Sequence, residues 1–247
     1  MNDSHNSTSR FGARARSYAA FRPGYPAEAI DALLAGLGDP ASLTIADVGA
    51  GTGISSRLFA ERGAAVLAIE PNASMRSQAQ PHPNVRWLEG TAGQTGLADA
   101  SVDLVVAAQA FHWFATPQTC AEFARVTRRR AALLQYERDE SHAFTHAYGD
   151  VVRAYATDDT EALRARGLEV FASFPGARVA RTAVPGAQPL DYEGLLGRAA
   201  SSSYLPSSGP AADSLRRDLA ALFERYERDG IVELRTLTHA LTADFER

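Results

Sequence analysis

The segment Asp47-Val48-Gly49-Ala50-Gly51-Thr52-Gly53 sets an acid two residues ahead of three glycines at alternate positions. Glycines at that density let a loop adopt backbone angles closed to other residues, and let a ligand lie against bare main chain. The dinucleotide fingerprint is G-x-G-x-x-G/A, whose small last residue allows a helix to pack close beneath a pyrophosphate. Here that position is Ile54, too bulky for the role. Asp47 stands where it could meet a cationic group. A cationic cofactor without a pyrophosphate fits the loop better.

Four further groups accompany the loop. Glu70 lies 17 residues beyond Gly53 at the end of an apolar run, where nucleoside-binding sheets place an acid to accept from ribose hydroxyls. Alone it would read as a solvated carboxylate; beside the glycine loop, ribose binding is the preferred reading. Met75 suits an adenine face or a helix core. Glu89-Gly90-Thr91-Ala92 offers backbone groups and the Thr91 hydroxyl for base recognition, or is a simple turn. Gln109-Ala110-Phe111-His112-Trp113-Phe114 holds a glutamine and a histidine in an aromatic cluster. Gln109 could bond a cofactor and His112 could serve as a base or orient a substrate oxygen; the same run would also serve to pack a loop onto a helix. Tyr18-x-x-x-Arg22-Pro23-x-Tyr25-Pro26 sets an arginine among aromatics and prolines, either to meet a carboxylate or to face solvent.

These groups must be positioned by alternating strands and helices. Apolar runs predict strands at 43–49, 65–70, 85–89, 102–108 and 131–136. Helices are predicted at 27–37 (Pro26 in its first turn), 53–62, 72–80 (Asn72 as cap) and 117–126 (Thr116 as cap). Alternation of this kind calls for a doubly wound sheet with helices on both faces. Beyond residue 140 come helices near 143–156, 159–167, 192–200 and 211–229. A strand at 178–184 is bounded by Pro185-Gly186, and a last strand at 231–238 would run antiparallel at the sheet edge. The fold class is α/β, a Rossmann-like doubly wound seven-stranded sheet, mainly parallel, with an antiparallel last strand. Residues 1–10 read as a disordered tail and 11–247 as a single domain. Within it, 11–40 form an N-terminal lid, 41–140 the cofactor-binding core, 141–230 the acceptor-pocket helices and edge strand, and 231–240 the last strand.

Composition narrows the chemistry. With 45% hydrophobic and 22% charged residues and a net charge of −4, the chain is an ordinary globular one that does not invite nucleic acid or an anionic membrane. All 25 basic residues are arginine, which rules out a Schiff-base lysine and a P-loop lysine. Cys120 is the single cysteine, so there is no intrachain disulfide and no cysteine-based zinc cluster. His142 and His146 are four apart but lack an accompanying acidic ligand motif; no metal is expected. The polar start lacks the apolar core of a secretory signal, and no run of about 18 apolar residues occurs, so a cytoplasmic protein is expected.

Taken together, these residues resemble a class I S-adenosylmethionine-dependent methyltransferase: Asp47–Gly53 matches the first motif, Glu70 the acidic second motif and Val102-Asp103-Leu104-Val105 the fourth-strand motif. More narrowly, the Arg-Pro-x-Tyr-Pro lead-in, Gly90-Thr91-Ala92, Gln109–Phe114 and Ser201-Ser202-Ser203-Tyr204-Leu205-Pro206 are similar to the small-molecule branch that includes trans-aconitate and cantharidin methyltransferases. The resemblance spans roughly residues 11 to 240.

It implies S-adenosyl-L-methionine as cofactor, with S-adenosyl-L-homocysteine as product. Gly49, Gly51 and Gly53 would cradle the methionine part, with Asp47 near its amino group and Tyr18 and Arg22 near its carboxylate. Glu70 would hold the ribose, and Met75 and Ala92 would flank the adenine. Ala50, Thr52, Pro71, Gly90, Thr91, Gln109 and Ala110 complete the expected cofactor set. The acid usual after Thr-Ala in this branch is Gly93 here. Tyr25, Phe111, His112, Trp113, Phe114, Arg198 and Tyr204 are the expected acceptor residues, with His112 as candidate base or orienting group. The reaction implied is methyl transfer to a small molecule, through oxygen of a carboxylate or hydroxyl, by a monomer or homodimer. A non-catalytic cofactor-binding or regulatory protein and an NAD-dependent oxidoreductase are the alternatives. Nucleic-acid methylation is disfavoured by the acidic charge balance and by the lack of an N/D-P-P-Y/F motif.

Overall fold

The computed structural model describes residues 21–174 and 177–245. The amino-terminal tail and Tyr18 lie outside them. The described chain forms one seven-stranded sheet in the order β3-β2-β1-β4-β5-β7-β6. These strands are β1 (Thr44–Val48), β2 (Ala65–Ile69), β3 (Val85–Leu88), β4 (Val102–Ala108), β5 (Thr127–Arg138), β6 (Ala177–Leu190) and β7 (Val232–Phe245). Strands β1 to β5 run parallel to one another, and β7 runs antiparallel to both β5 and β6. The chain order reverses at β1, which pairs with β2 on one side and β4 on the other. In such sheets the crevice outside the carboxyl ends at this reversal is where ligands bind.

Alternating residues of each strand enter different cores, as the two-residue period of a strand requires. Leu104, Val106 and Leu134 face α1 (Ala27–Leu34) and α2 (Ile54–Ala60) through Ile30, Leu33 and Phe59. Val105 and Leu133 face the opposite way, toward Phe123 of α4 (Pro117–Val126) and Phe171 of α6 (Thr160–Ala172). A short helix α3 (Ala73–Arg76) follows β2. A third core joins α5 (Ala143–Tyr155), α7 (Tyr192–Ala200) and α8 (Gly209–Tyr226) to the start of β7 through Tyr148, Leu195, Leu219 and Leu234.

Three departures from the predicted elements have physical reasons. Strand β6 does not stop at Pro185-Gly186 but continues to Leu190. Among the described residues it pairs only with β7, and an edge strand tolerates proline because half of its N–H groups face outward. Strand β5 begins at Thr127, so that Arg128, Arg129 and Arg130 lie within it. Arg128 pairs with Asp103 of β4, while two of the three reach off the sheet: Arg129 donates to the Leu37 carbonyl (2.6 Å), and Arg130 to the carbonyls of Leu33 and Ala35 (2.7 and 2.8 Å). Those bonds close the end of α1, which stops at Leu34. The last strand extends to Phe245 because it is paired along its length with β6.

Candidate functional site

Strand β1 ends at Val48 and the chain turns through glycines with φ of 72° at Gly49, 60° at Gly51 and 77° at Gly53. The turn is pinned to β2 by Gly49 N and Ala50 N, which donate to the Ile69 carbonyl at 2.8 and 3.1 Å. At Gly49 a side chain would collide as well as strain, since a Cβ there would lie 2.7 Å from that of Ala110. The loop therefore presents bare backbone to the space above it.

That space is a cavity of ≈ 420 Å³ at the carboxyl ends of β1, β2 and β4, within the range of about 300–1,000 Å³ typical of small-molecule sites. Its floor is Gly49, Ala50, Gly51 and Thr52; its acidic end is Glu70, followed by Pro71. Met75, Gly90, Thr91 and Ala92 form one wall, and Gln109, Ala110, Trp113, Phe114 and Tyr25 the other. The structure thus brings together most of the residues singled out from the sequence.

Glu70 does more than line this space. Its Oε2 accepts from Gly51 N at 3.0 Å and its Oε1 from Asn72 N at 2.8 Å, so one carboxylate ties the glycine loop to the turn after β2. Burial raises its pKa, with the backbone N–H groups of Asn72 and Gly51 pulling the other way. Asn72, which also lines the cavity, caps α3 by accepting from Ser74 N and Met75 N at 2.9 and 3.3 Å. Read only as a helix cap, it was not expected in the wall; the signal was its place two residues after the acid.

Several expected members lie elsewhere. Asp47 is fully buried beneath the loop, its Oδ2 accepting the hydroxyls of Ser55 and Ser56 at 2.6 Å each. It fixes the start of α2 to the end of β1 instead of forming the cavity wall, and burial raises its pKa despite those bonds. Gly53 is tucked against Trp87, where a Cβ would approach to 2.9 Å, and does not line the cavity. Phe111 enters the core, 5.7 Å from the Phe171 ring and 6.0 Å from that of Phe123.

His112 also lies outside the wall, 8% exposed, its ring 4.8 Å from Trp113 and its backbone under Gly167 of α6. Burial first, then the charges of Arg164 and Arg22, push its imidazole down to about 3. A group so weakly basic is a poor acceptor of protons at neutral pH.

Arg22 is likewise absent from the cavity lining. Its Nη1 donates to the Tyr136 hydroxyl (2.9 Å) and its Nη2 to the Ser201 carbonyl (3.2 Å). Arg198, 6% exposed, sits with its guanidinium carbon 5.9 Å from the Tyr136 ring centre. Tyr204 is buried nearby. Tyr136 joins this group to the cavity: its carbonyl accepts from Gln109 Nε2 at 3.0 Å, and its ring is 6.1 Å from that of Tyr25. Burial alone would raise the Tyr136 phenol, but the charges of Arg22 and Arg198 bring it down to about 8. Tyr136 and Arg164 were not expected from the sequence. One reads as the tail of a core strand and the other as a charge on a surface helix.

Comparison with known proteins agrees with this geometry. The methyltransferase-domain family matches residues 46–134. An uncharacterized methyltransferase of Mycobacterium tuberculosis is 34% identical over 201 residues, covering 80% of this chain and 78% of that one. Among solved structures, a protein assigned as a type II methyltransferase from Anaeromyxobacter dehalogenans superposes with a TM-score of 0.65 at 24% identity, over 92% of this chain and 98% of that one. A protein assigned as a methyltransferase of an antibiotic biosynthesis pathway in Anabaena variabilis gives 0.62 at 25% identity, over 85% and 96%. The chain belongs to the class I S-adenosylmethionine-dependent methyltransferases. S-adenosylmethionine is accordingly its cofactor, and the cavity suits it: an acidic end, a bare-backbone floor and an apolar wall. Among the described residues no cluster of His, Cys, Asp and Glu could hold a metal ion, and no helix is long and apolar enough to cross a membrane.

Proposed function

We propose that this protein transfers a methyl group from S-adenosylmethionine to an oxygen of a small-molecule acceptor, and that the oxygen belongs to a carboxylate in preference to a hydroxyl. When bound, the cofactor supplies a sulfonium methyl open to in-line displacement. The residues of this chain bind, align and exclude water. Glu70 would accept from the ribose hydroxyls, Gly49 to Thr52 would lie along the methionine part, and Met75 and Ala92 would flank the adenine. Trp113, Phe114 and Tyr25 would close the acceptor side, where holding two reactants in line can lower a barrier by roughly 7–11 kcal/mol.

The observation that carries the choice of a carboxylate is the state of His112. It is buried, outside the cavity wall, and too weakly basic to deprotonate an alcohol. Glu70, the one carboxylate in the wall among the described residues, has both oxygens engaged by backbone N–H groups. A carboxylate acceptor is already ionised at neutral pH and needs no base. The test is incubation with methyl-labelled cofactor and a panel of small carboxylic acids, phenols and amines, followed by mild alkaline hydrolysis of the product. Label released by alkali from carboxylic-acid products supports an ester. Alkali-stable label on phenols or amines alone overturns it.

A further inference from the structure

Gly90, Thr91 and Ala92, part of one wall of the cavity, sit in a turn between β3 and β4. The turn is closed by Thr91 N on the Gln94 carbonyl and Gln94 N on the Thr91 carbonyl, both at 3.1 Å. The chain then doubles back against its own start. A Cβ on Gly90 would lie 2.9 Å from the Thr95 carbonyl oxygen and 3.0 Å from Ile69 Cγ2. The place of this wall is therefore set by the place of Thr95.

Thr95 is 1% exposed and is fixed from outside the turn. Its N–H and its hydroxyl both donate to Glu122 Oε1 of α4, at 2.8 and 2.6 Å, and the hydroxyl accepts from Leu97 N at 3.3 Å. Arg125, one helical turn on, backs this carboxylate: its Nε donates to Oε2 and its Nη2 to Oε1, each at 2.8 Å. The same guanidinium donates to the Leu97 carbonyl at 2.8 Å and to Asp99 at 2.5 Å. Bonds from Arg125 and then Thr95 outweigh burial and hold the Glu122 carboxyl down at about 2. It stays ionised, and hydrogen bonds to an ionised acceptor are the stronger kind. The helix does not need these bonds for its own seat, since Cys120, Phe123 and Val126 already pack it into the core. What Glu122 and Arg125 hold is the loop.

We propose that Glu122 is a positioning residue for the cofactor: through Thr95 it presets the wall at Gly90 to Ala92 on which the adenine rests. This rests on the cofactor placement given above, with the base between Met75 and Ala92. A loop released from Glu122 would hold the binding-competent form for only part of the time, and apparent affinity falls by that fraction. A ligand that has no base does not meet this wall, so its affinity should not register the loss.

Titration calorimetry on the intact protein compares S-adenosylhomocysteine with S-ribosylhomocysteine, which keeps the ribose and the amino-acid arm but lacks the base; the weaker ligand is measured by its competition with the stronger. The variants are Glu122→Ala, Thr95→Val, Thr95→Ser and Ala92→Phe, with Arg216→Ala on the exposed face of α8 as control. S-adenosylhomocysteine should bind at least about fivefold more weakly to Thr95→Val, and at least about tenfold more weakly to Glu122→Ala, as for one or more lost hydrogen bonds to a charged group. Thr95→Ser keeps the hydroxyl and should stay within about twofold of the wild type, as should Arg216→Ala. S-ribosylhomocysteine should bind Thr95→Val and Glu122→Ala as it binds the wild type. Equal weakening of both ligands would make the bonds a general support of the fold and overturn the proposal. So would unchanged S-adenosylhomocysteine affinity in Thr95→Val and Glu122→Ala, or a Thr95→Ser as weak as Thr95→Val. Ala92→Phe separates this failure from that of the cofactor placement. If it weakens S-adenosylhomocysteine binding while the Glu122 and Thr95 variants do not, the base lies where stated and the role of Glu122 alone is overturned. If Ala92→Phe binds like the wild type, the base lies elsewhere and both are overturned.

Discussion

Removing the Glu70 carboxylate tests the cofactor cradle most directly. In Glu70→Ala, two acceptors disappear from a side chain that is 9% exposed, one facing Gly51 N at 3.0 Å and the other Asn72 N at 2.8 Å. A hydrogen bond to a charged group contributes about 1.5–3 kcal/mol. With the ribose hydroxyls bound to this carboxylate, that loss should weaken S-adenosylhomocysteine binding by about 10- to 150-fold, at about 1.4 kcal/mol per decade. The loop also loses its tie to the β2 turn. Both orphaned N–H groups belong to residues that line the cavity, so water can replace the carboxylate there at a cost below about 2 kcal/mol. The fold should survive and the affinity should not. Glu70→Gln keeps one acceptor for one N–H group and should fall between. Titration calorimetry at 25 °C measures the effect, with Glu89→Ala as control: that side chain is 83% exposed and pairs with Arg76, so its removal should change affinity by no more than about fivefold. If Glu70→Ala binds as tightly as Glu89→Ala, the carboxylate does not hold the ribose and the cradle is misassigned.

Gly49→Ala combines a left-handed backbone, costing about 1–2 kcal/mol for an L-residue, with a Cβ placed 2.7 Å from that of Ala110. It should lower Tm by at least about 3 °C for a chain of this size and weaken cofactor binding; unchanged calorimetric scans would show that the loop adapts. His112 gives a pH dependence of definite sign. Its folded pKa of about 3 lies below the ordinary 6.5, so between those values the unfolded chain takes up a proton that the native chain refuses. Stability should therefore fall as pH drops below 6.5, by roughly 1.4 kcal/mol per unit and about 2 kcal/mol by pH 5. Urea unfolding of His112→Gln should lose that much of the wild-type slope, and parallel pH curves would place the histidine in solvent. Arg130 is bonded to both Asp244 oxygens, at 2.5 and 3.0 Å, and to the carbonyls of Leu33 and Ala35. Arg130→Leu should cost about 1.5–3 kcal/mol in denaturant unfolding and Asp244→Asn less, since the carbonyl bonds survive it; equal losses would mean that the helix-end bonds contribute nothing.

What could be read from the sequence was whatever local chemistry dictates. Gly49, Gly51 and Gly53 are demanded by backbone angles that only their own positions set, and Thr116 accepts from Thr119 N at the start of α4 where a cap was expected. Strand β4 keeps its predicted limits because its apolar run is buried on both faces. Proline at 185 was misleading because its meaning depends on whether the strand is an edge, and that is settled by a partner, β7, some fifty residues away. Asp47 was misplaced for a related reason. The serines that claim it are eight and nine residues on, within the same turn, but nothing in their spacing says that their hydroxyls point back under the loop instead of toward a ligand.

The arginine cluster around Tyr136 was the least legible part, and its residues show why. Arg22, Tyr136, Arg164 and Arg198 come from the lead-in, the end of β5, α6 and α7, and each looks ordinary in its own segment. Only the fold discloses that the lead-in is laid on α7, where the Phe21 ring covers Gly197 so closely that a Cβ would come within 2.5 Å of it. That contact carries Arg22 over to Ser201 and Tyr136. In this fold the cofactor end is set by one loop and the strands beside it, so its sequence has little freedom. The cluster around Tyr136 is assembled by tertiary packing, where one arginine more or less leaves every local pattern intact. Residues here can therefore change without disturbing the glycine loop.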